Sequence, residues 1–128
     1  MCTFPVITLS NGIRVANFSS PHEFNFLTGE VLEACSPEHA KAMMLNAEEI
    51  ERPNGRWIDI ELSFAMSDAV RAGLEEACRL DVDIVLVPFP VMQSVKETRD
   101  CEHLLAKIRV VRVADRATKA IYSDRFCC

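Results

Sequence analysis

The chain has 128 residues and a formal net charge of -5, with 49% of its residues apolar and 26% charged. That balance belongs to one folded domain able to bury roughly two-thirds of its unfolded surface, not to a disordered segment. The acidic surplus excludes a general nucleic-acid binder, which needs Lys and Arg to neutralise phosphates. The longest apolar run, residues 84–91, falls far short of the roughly 20 residues of a membrane-spanning helix.

Residues 6–9 and 13–18 flank Ser10-Asn11-Gly12, and Asn-Gly supplies the positive φ angles of a hairpin turn. A second hairpin follows: Phe24 and Phe26 alternate against Glu23 and Asn25, Thr28-Gly29 turns, and residues 31–34 return. Ser36-Pro37 opens a helix, since Ser caps free backbone donors and Pro loses nothing at the first helical position. Ala40, Met43, Met44 and Ala47 make its apolar stripe, with Glu38, Lys41, Glu48 and Glu49 in water, and the two methionines read as core filling. Arg52-Pro53-Asn54-Gly55 breaks the chain.

Residues 57–66 put Ile58, Ile60, Leu62, Phe64 and Met66 on one face and Asp59, Glu61 and Ser63 on the other, which predicts an antiparallel or edge strand with one wet face. Ser67 caps a helix over 68–80, with Asp68 at its positive end and Val70, Leu74, Ala77 and Cys78 as its buried stripe. Ile84-Val85-Leu86-Val87 shows no alternation, as expected of a central strand covered on both faces. Pro88-Phe89-Pro90 ends that strand and starts a short helix through about Lys96, with Val91, Met92 and Val95 inward. Residues 97–106 carry no clear signal. Residues 108–113 form another strand, 115–118 a turn, and 119–122 a returning strand. The pattern predicts one α/β (or α+β) domain over residues 1–128. Its single mixed sheet has N-terminal β-hairpins and a C-terminal β-α-β-α-β unit, with two or three helices packed on it.

Six cysteines, Cys2, Cys35, Cys78, Cys101, Cys127 and Cys128, would make three bridges in a secreted protein. No basic segment followed by an apolar one opens the chain, so the expected compartment is the reducing cytoplasm and free thiols are expected. No cysteine pair has C-x-x-C spacing and His22, His39 and His103 stand apart, so no zinc template fits and neither a metal nor a cofactor is expected. Cys127-Cys128 reads as a tail.

No phosphate loop, dinucleotide fingerprint, nucleophile elbow or helical pair of metal histidines is present. Topology then points to the carboxyl end of the central strand, where ligands of open α/β sheets collect. There Phe89 offers a stacking face and the following helix start offers N–H donors to an anion; the plainer account is a stiff turn with Phe89 in the core. Basic residues gather late in the chain, with Arg109 and Arg112 on opposite faces of their strand and Arg116, Lys119 and Arg125 beyond. Arg112, Asp115 and Arg116 join Phe89 as candidate ligand-binding residues, against the plainer account of ion pairing or protection of a strand edge. His22 is the candidate general acid/base, because imidazole titrates near neutrality, and Ser19 and Ser20 are nucleophiles only if the fold brings them a base. A turn held by the serine hydroxyls is the plainer account of that segment. Asp59 and Glu61 share a strand face, either as paired carboxylates or as solvated residues.

Asn17-Phe18-Ser19-Ser20-Pro21-His22-Glu23-Phe24-Asn25-Phe26 resembles an Asn-x-Ser/Thr-Pro-His opening, and residues 83–92 resemble a strand–proline–helix segment, both seen in small bacteriophage and prophage accessory proteins. The resemblance implies a compact accessory protein acting in the cytoplasm of an infected bacterium, and it carries over no catalytic residues. With no catalytic motif present, the expectation is a non-enzymatic binding protein that engages or inhibits a host protein or sequesters a small anionic, nucleotide-like molecule. The alternative is a small hydrolase or transferase using His22, with Asp59, Glu61 or Asp115 as its partner. Self-association of the chain is a further expectation.

Overall fold

The structure, a computed structural model, describes residues 4–128. Asn11-Gly12 turns the chain between β1 (Val6–Thr8) and β2 (Arg14–Asn17), which pair antiparallel with Ile7 opposite Val15. Gly12 supplies a φ of 87°, and Asn11 Oδ1 accepts from the Ile13 N–H to close the turn. β2 pairs in parallel with the short central strand β7 (Ile84–Leu86), and β7 in parallel with β8 (Ile108–Asp115). β9 (Ala120–Cys127) returns antiparallel to β8, so the sheet runs β1-β2-β7-β8-β9.

Alternation along these strands divides the core in two. Ala16, Val85 and Val87 face the side covered by α2 (Asp68–Cys78) and α3 (Phe89–Glu97), which bring Val70, Leu74, Ala77, Val91, Met92 and Val95. Residues 99–106, which carried no signal, form a 3-10 helix that adds Cys101 and Leu104 to this core. Val15 and Leu86 face the other side, where the expected second hairpin, β3 (Phe24–Asn25) with β4 (Val31–Leu32), brings Leu32 and the adjoining Phe26 against Ile121 of β9. Ser36 Oγ accepts from the His39 N–H to open α1 (Pro37–Ala42), and Ser67 Oγ accepts from the Val70 N–H to open α2, as their cap positions predict.

The largest departure lies between α1 and α2. α1 stops at Ala42 instead of running past Ala47, and residues 47–54 form β5 (Ala47–Asn54), paired along its whole length with β6 (Trp57–Phe64). The segment 52–55, read as a chain break, closes a hairpin instead: Asn54 pairs with Trp57 and the two-residue turn is Gly55-Arg56, with Gly55 at φ 61°. A full ladder of cross-strand pairs outweighs the helical preference of Glu48, Glu49 and Glu51. β6 therefore does not open the C-terminal unit as expected; it lies outside the main sheet, and β2 takes the place beside β7. β2 is apolar on both faces, as an interior strand must be, whereas β6 is apolar on one face only.

That apolar face is not buried. Ile58, Ile60 and Leu62 are 53%, 49% and 49% exposed, while Phe64, at the base of the hairpin, and Met66 just beyond it pack against the helix-side core. Met43 packs on that core as expected, but Met44 is exposed. β9 runs longer than predicted, so Cys127 pairs with Val110 and is not a tail residue. Cys78, Cys101, Cys127 and Cys128 hold free thiols, and Cys2 lies outside the described residues. Among the described residues no helix is long and apolar enough to cross a membrane.

Candidate functional site

β2 and β7 lie side by side and run the same way, so their carboxyl ends open at one place. β2 leads into Phe18-Ser19-Ser20-Pro21 and β7 into Val87-Pro88-Phe89-Pro90. The Phe18 N–H donates to the Leu86 carbonyl at 3.1 Å and holds the two exits together. Residues 19–21 and 86–91, distant in sequence, meet here. Together with Met43, Met44 and Leu45 after α1, and Val110 and Val111 of β8, they enclose a cavity of about 460 Å³.

Asn17 fixes the β2 exit. Fully buried, it accepts the Ser20 N–H through Oδ1 at 2.9 Å and donates through Nδ2 to the carbonyls of Glu33 at 2.9 Å and Ser20 at 3.2 Å. A buried amide satisfied at both ends is a strut, since leaving either end unpaired costs its desolvation. Cys35 donates its S–H to the Asn17 carbonyl at 3.4 Å. His39 of α1 donates Nε2–H to the Phe18 carbonyl at 2.7 Å and packs edge-on against Phe4 and Phe18, which pins α1 over the cavity. Sequence reasoning gave Asn17 and His39 no role. A polar residue closing an otherwise apolar strand was the available signal for Asn17.

The lining is almost wholly apolar. Ser20 Oγ donates to the His22 carbonyl at 2.8 Å and accepts the His22 N–H at 3.1 Å, the hydroxyl-held turn that was the plainer account of this segment. Ser19 is 5% exposed, lines the cavity, and has a hydroxyl that makes no hydrogen bond among the described residues. The start of α3 offers less to an anion than expected. Pro88 and Pro90 have no N–H, and the Val91 and Met92 N–H groups both donate to the Pro88 carbonyl at 3.1 Å, so Phe89 alone keeps a first-turn N–H that the helix does not use. Phe89 itself is not in the core: its side chain sits at the cavity mouth and the residue is 65% exposed.

The other sequence candidates stand apart. Arg112, Asp115 and Arg116 are exposed at the far end of β8 and its turn, and none lines the cavity. Asp115 Oδ1 accepts the Ala117 N–H at 2.9 Å, a local turn contact. His22 is exposed just past Pro21, outside the cavity lining, and no acid or base among the described residues lies within hydrogen-bond reach of its ring. Asp59 accepts from Trp57 Nε1–H at 2.9 Å and Glu61 pairs with Arg52 at 2.7 Å, so both carboxylates belong to the β5–β6 hairpin and its own contacts.

A second concavity of about 390 Å³ gathers Glu75, Cys78, His103 and Lys107 beside α2. Burial pushes the Cys78 thiol up, which keeps it protonated at neutral pH, and the Lys107 ammonium is occupied with the Cys78 and Leu80 carbonyls at 3.0 and 3.3 Å. Among the described residues no three His, Cys, Asp or Glu side chains gather to hold a metal ion. Compared with protein-family models, curated proteins and solved structures, the chain matches none.

Proposed function

We propose that the protein captures a small molecule through a planar, largely uncharged ring held in the cavity at the ends of β2 and β7. The observation that carries this reading is Phe89, two-thirds exposed at the mouth of a cavity otherwise lined by aliphatic side chains, a second ring, Phe24, and the two serines. A cavity of about 460 Å³ lies within the usual range of small-molecule sites. Stacking on Phe89 and dispersion from Met43, Leu45 and Val87 favour a flat ring, while the Ser19 hydroxyl and the Phe89 N–H give it direction.

A nucleobase has this chemistry. The cavity holds no cation, so any phosphate on such a ligand extends into solvent. The reading keeps the nucleotide-like half of the sequence expectation and drops recognition of the anion itself. It agrees with an accessory role in a phage-infected cell, where binding a small signal molecule needs no catalytic group.

Calorimetric titration with adenosine, ATP and inorganic pyrophosphate tests it. Adenosine and ATP are expected to bind with comparable affinity and pyrophosphate not to bind. Replacing Phe89 by Ala should weaken adenosine by about 10-fold or more, the usual loss of one ring stack. Binding of pyrophosphate, or adenosine binding untouched by the Phe89 change, overturns the reading.

A further inference from the structure

The β5–β6 hairpin stands out from the body as an arm. Its main contact with the rest of the chain is β6 against α3, and residues 47–62 are all exposed. An isolated two-stranded ribbon is at best marginally stable in water, so the bare ladder of Ile58, Ile60 and Leu62 is a face that needs a cover. Five carboxylates lie on the arm, Glu48, Glu49, Glu51, Asp59 and Glu61, against Arg52 and Arg56. Of these, Glu48, Glu49 and Glu51 have no ion pair among the described residues.

The β8–β9 hairpin has the opposite sign: apart from the Asp124–Arg125 pair, Arg112, Arg116 and Lys119 outnumber Asp115. β8 pairs with β7 only at Ile108 and Arg109 and with β9 farther on; Ile121 of β9, opposite Val113, is still tied to the body by Phe26 and Leu27, so the part that stands clear is the turn end of the hairpin, residues 115–119. Arg112, Arg116 and Lys119 are exposed on this hairpin without an ion pair among the described residues, and Val113 among them is 49% exposed.

We propose that the acidic, apolar-faced arm of one copy packs against the basic β8–β9 extension of a second copy, and reciprocally, so that the chain is a twofold dimer. Charge complementarity identifies the occupant: three unpaired carboxylates and three unpaired cations sit on two separate hairpins of one polypeptide. In its own chain the arm leans on α3 instead. A twofold interface requires each copy to present both halves of the contact, and this chain does. Ile58, Ile60, Leu62 and Val113 leave water when the two hairpins meet, which supplies the non-directional part of the attraction. The inference is independent of the cavity and its ligand.

Sedimentation at low ionic strength tests it with two charge-reversed variants, Glu48→Lys/Glu49→Lys/Glu51→Lys and Arg112→Glu/Arg116→Glu/Lys119→Glu. The unaltered chain is expected to be a dimer, and each variant alone to weaken the dimer by about 100-fold, because like charges then face each other across both contacts. An equimolar mixture of the two should dimerise again, since the basic arm of one meets the acidic extension of the other at one contact and the acidic arm of the second meets the basic extension of the first at the other contact. A single chain carrying all six substitutions should dimerise as well, which keeps the test decisive where one triple variant does not fold. A monomeric unaltered chain, triple variants that stay dimeric, or a mixture and six-fold variant that both stay monomeric overturn the proposal.

Discussion

Gly12 and Gly55 each turn a hairpin, and the two hairpins have opposite surroundings. Both glycines take positive φ, 87° and 61°. The first hairpin delivers Val15 and Ala16 into the two cores on either side of the main sheet, both at 0% exposure. The second is open to water from Ala47 to Leu62. The turn residues decide that a hairpin forms; the composition of its faces decides whether the domain absorbs it. β2 has something apolar to offer each side, while β6 alternates Ile and carboxylate and brings Glu48, Glu49 and Glu51 alongside in β5.

Truncation at the two places should show the contrast most sharply. Phe18→Ala removes a fully buried ring between the β2 exit and α2, and urea denaturation should report a loss of about 3–5 kcal/mol. Ile60→Ala, on the arm, should leave the stability of the monomeric chain within about 0.5 kcal/mol.

Removing the strut comes next. Asn17→Ala abandons the Ser20 and Glu33 main-chain groups it satisfies and should cost about 1–3 kcal/mol in the same measurement. It should also abolish ligand binding, because the Ser19-Ser20-Pro21 wall loses its anchor.

The paired glycines give a smaller effect with a built-in control. Gly12→Ala forces a side chain into left-handed backbone and should lower global stability by about 1–2 kcal/mol. Gly55→Ala meets the same strain in the arm, so the urea midpoint should barely move while amide exchange over residues 47–64 quickens.

The smallest expected effect is on the acid side. Arg71, 2.9 Å away, holds the Asp100 carboxyl below its ordinary 3.8, and hydrogen bonds from Thr28 and Ser10 hold that of Glu30 below 4.5. A depressed folded-state pKa gives stability that is present above those ordinary values and lost as pH falls through the lower folded ones. The urea midpoint of the body should therefore drop slightly between about pH 5 and pH 3, with Arg71→Gln removing part of that slope.

Much of this architecture was legible where local chemistry and packing agree. Asn11-Gly12, the caps at Ser36 and Ser67, and the unbroken apolar run of β7 each named an element correctly, and the strand–helix boundary at Pro88 pointed to the cavity. The reading failed where local preference and long-range pairing disagree. Ala40, Met43, Met44 and Ala47 have helical spacing and the glutamates after them favour a helix, yet pairing with β6, out to Phe64 opposite Ala47, decides for β5. Phe89 illustrates the same limit at the site: its sequence places it at a strand end but not on which side of the cavity wall its ring lies. Arg112 and Arg116 looked like ligand residues because basic charge near a strand end suggests an anion, but they lie on β8 and its turn beyond the reach of β7, which is three residues long and pairs with β8 only at Ile108 and Arg109.

Hydrogen exchange across a dilution series is the most direct test of the contrast between an absorbed hairpin and an unabsorbed one. Amides of β2 and β7 should keep the same protection at every protein concentration, while those of β5 and β6 should be protected only where the chain is concentrated enough to pair with a second copy. Protection of the arm that is high and unchanged on dilution would contradict the account.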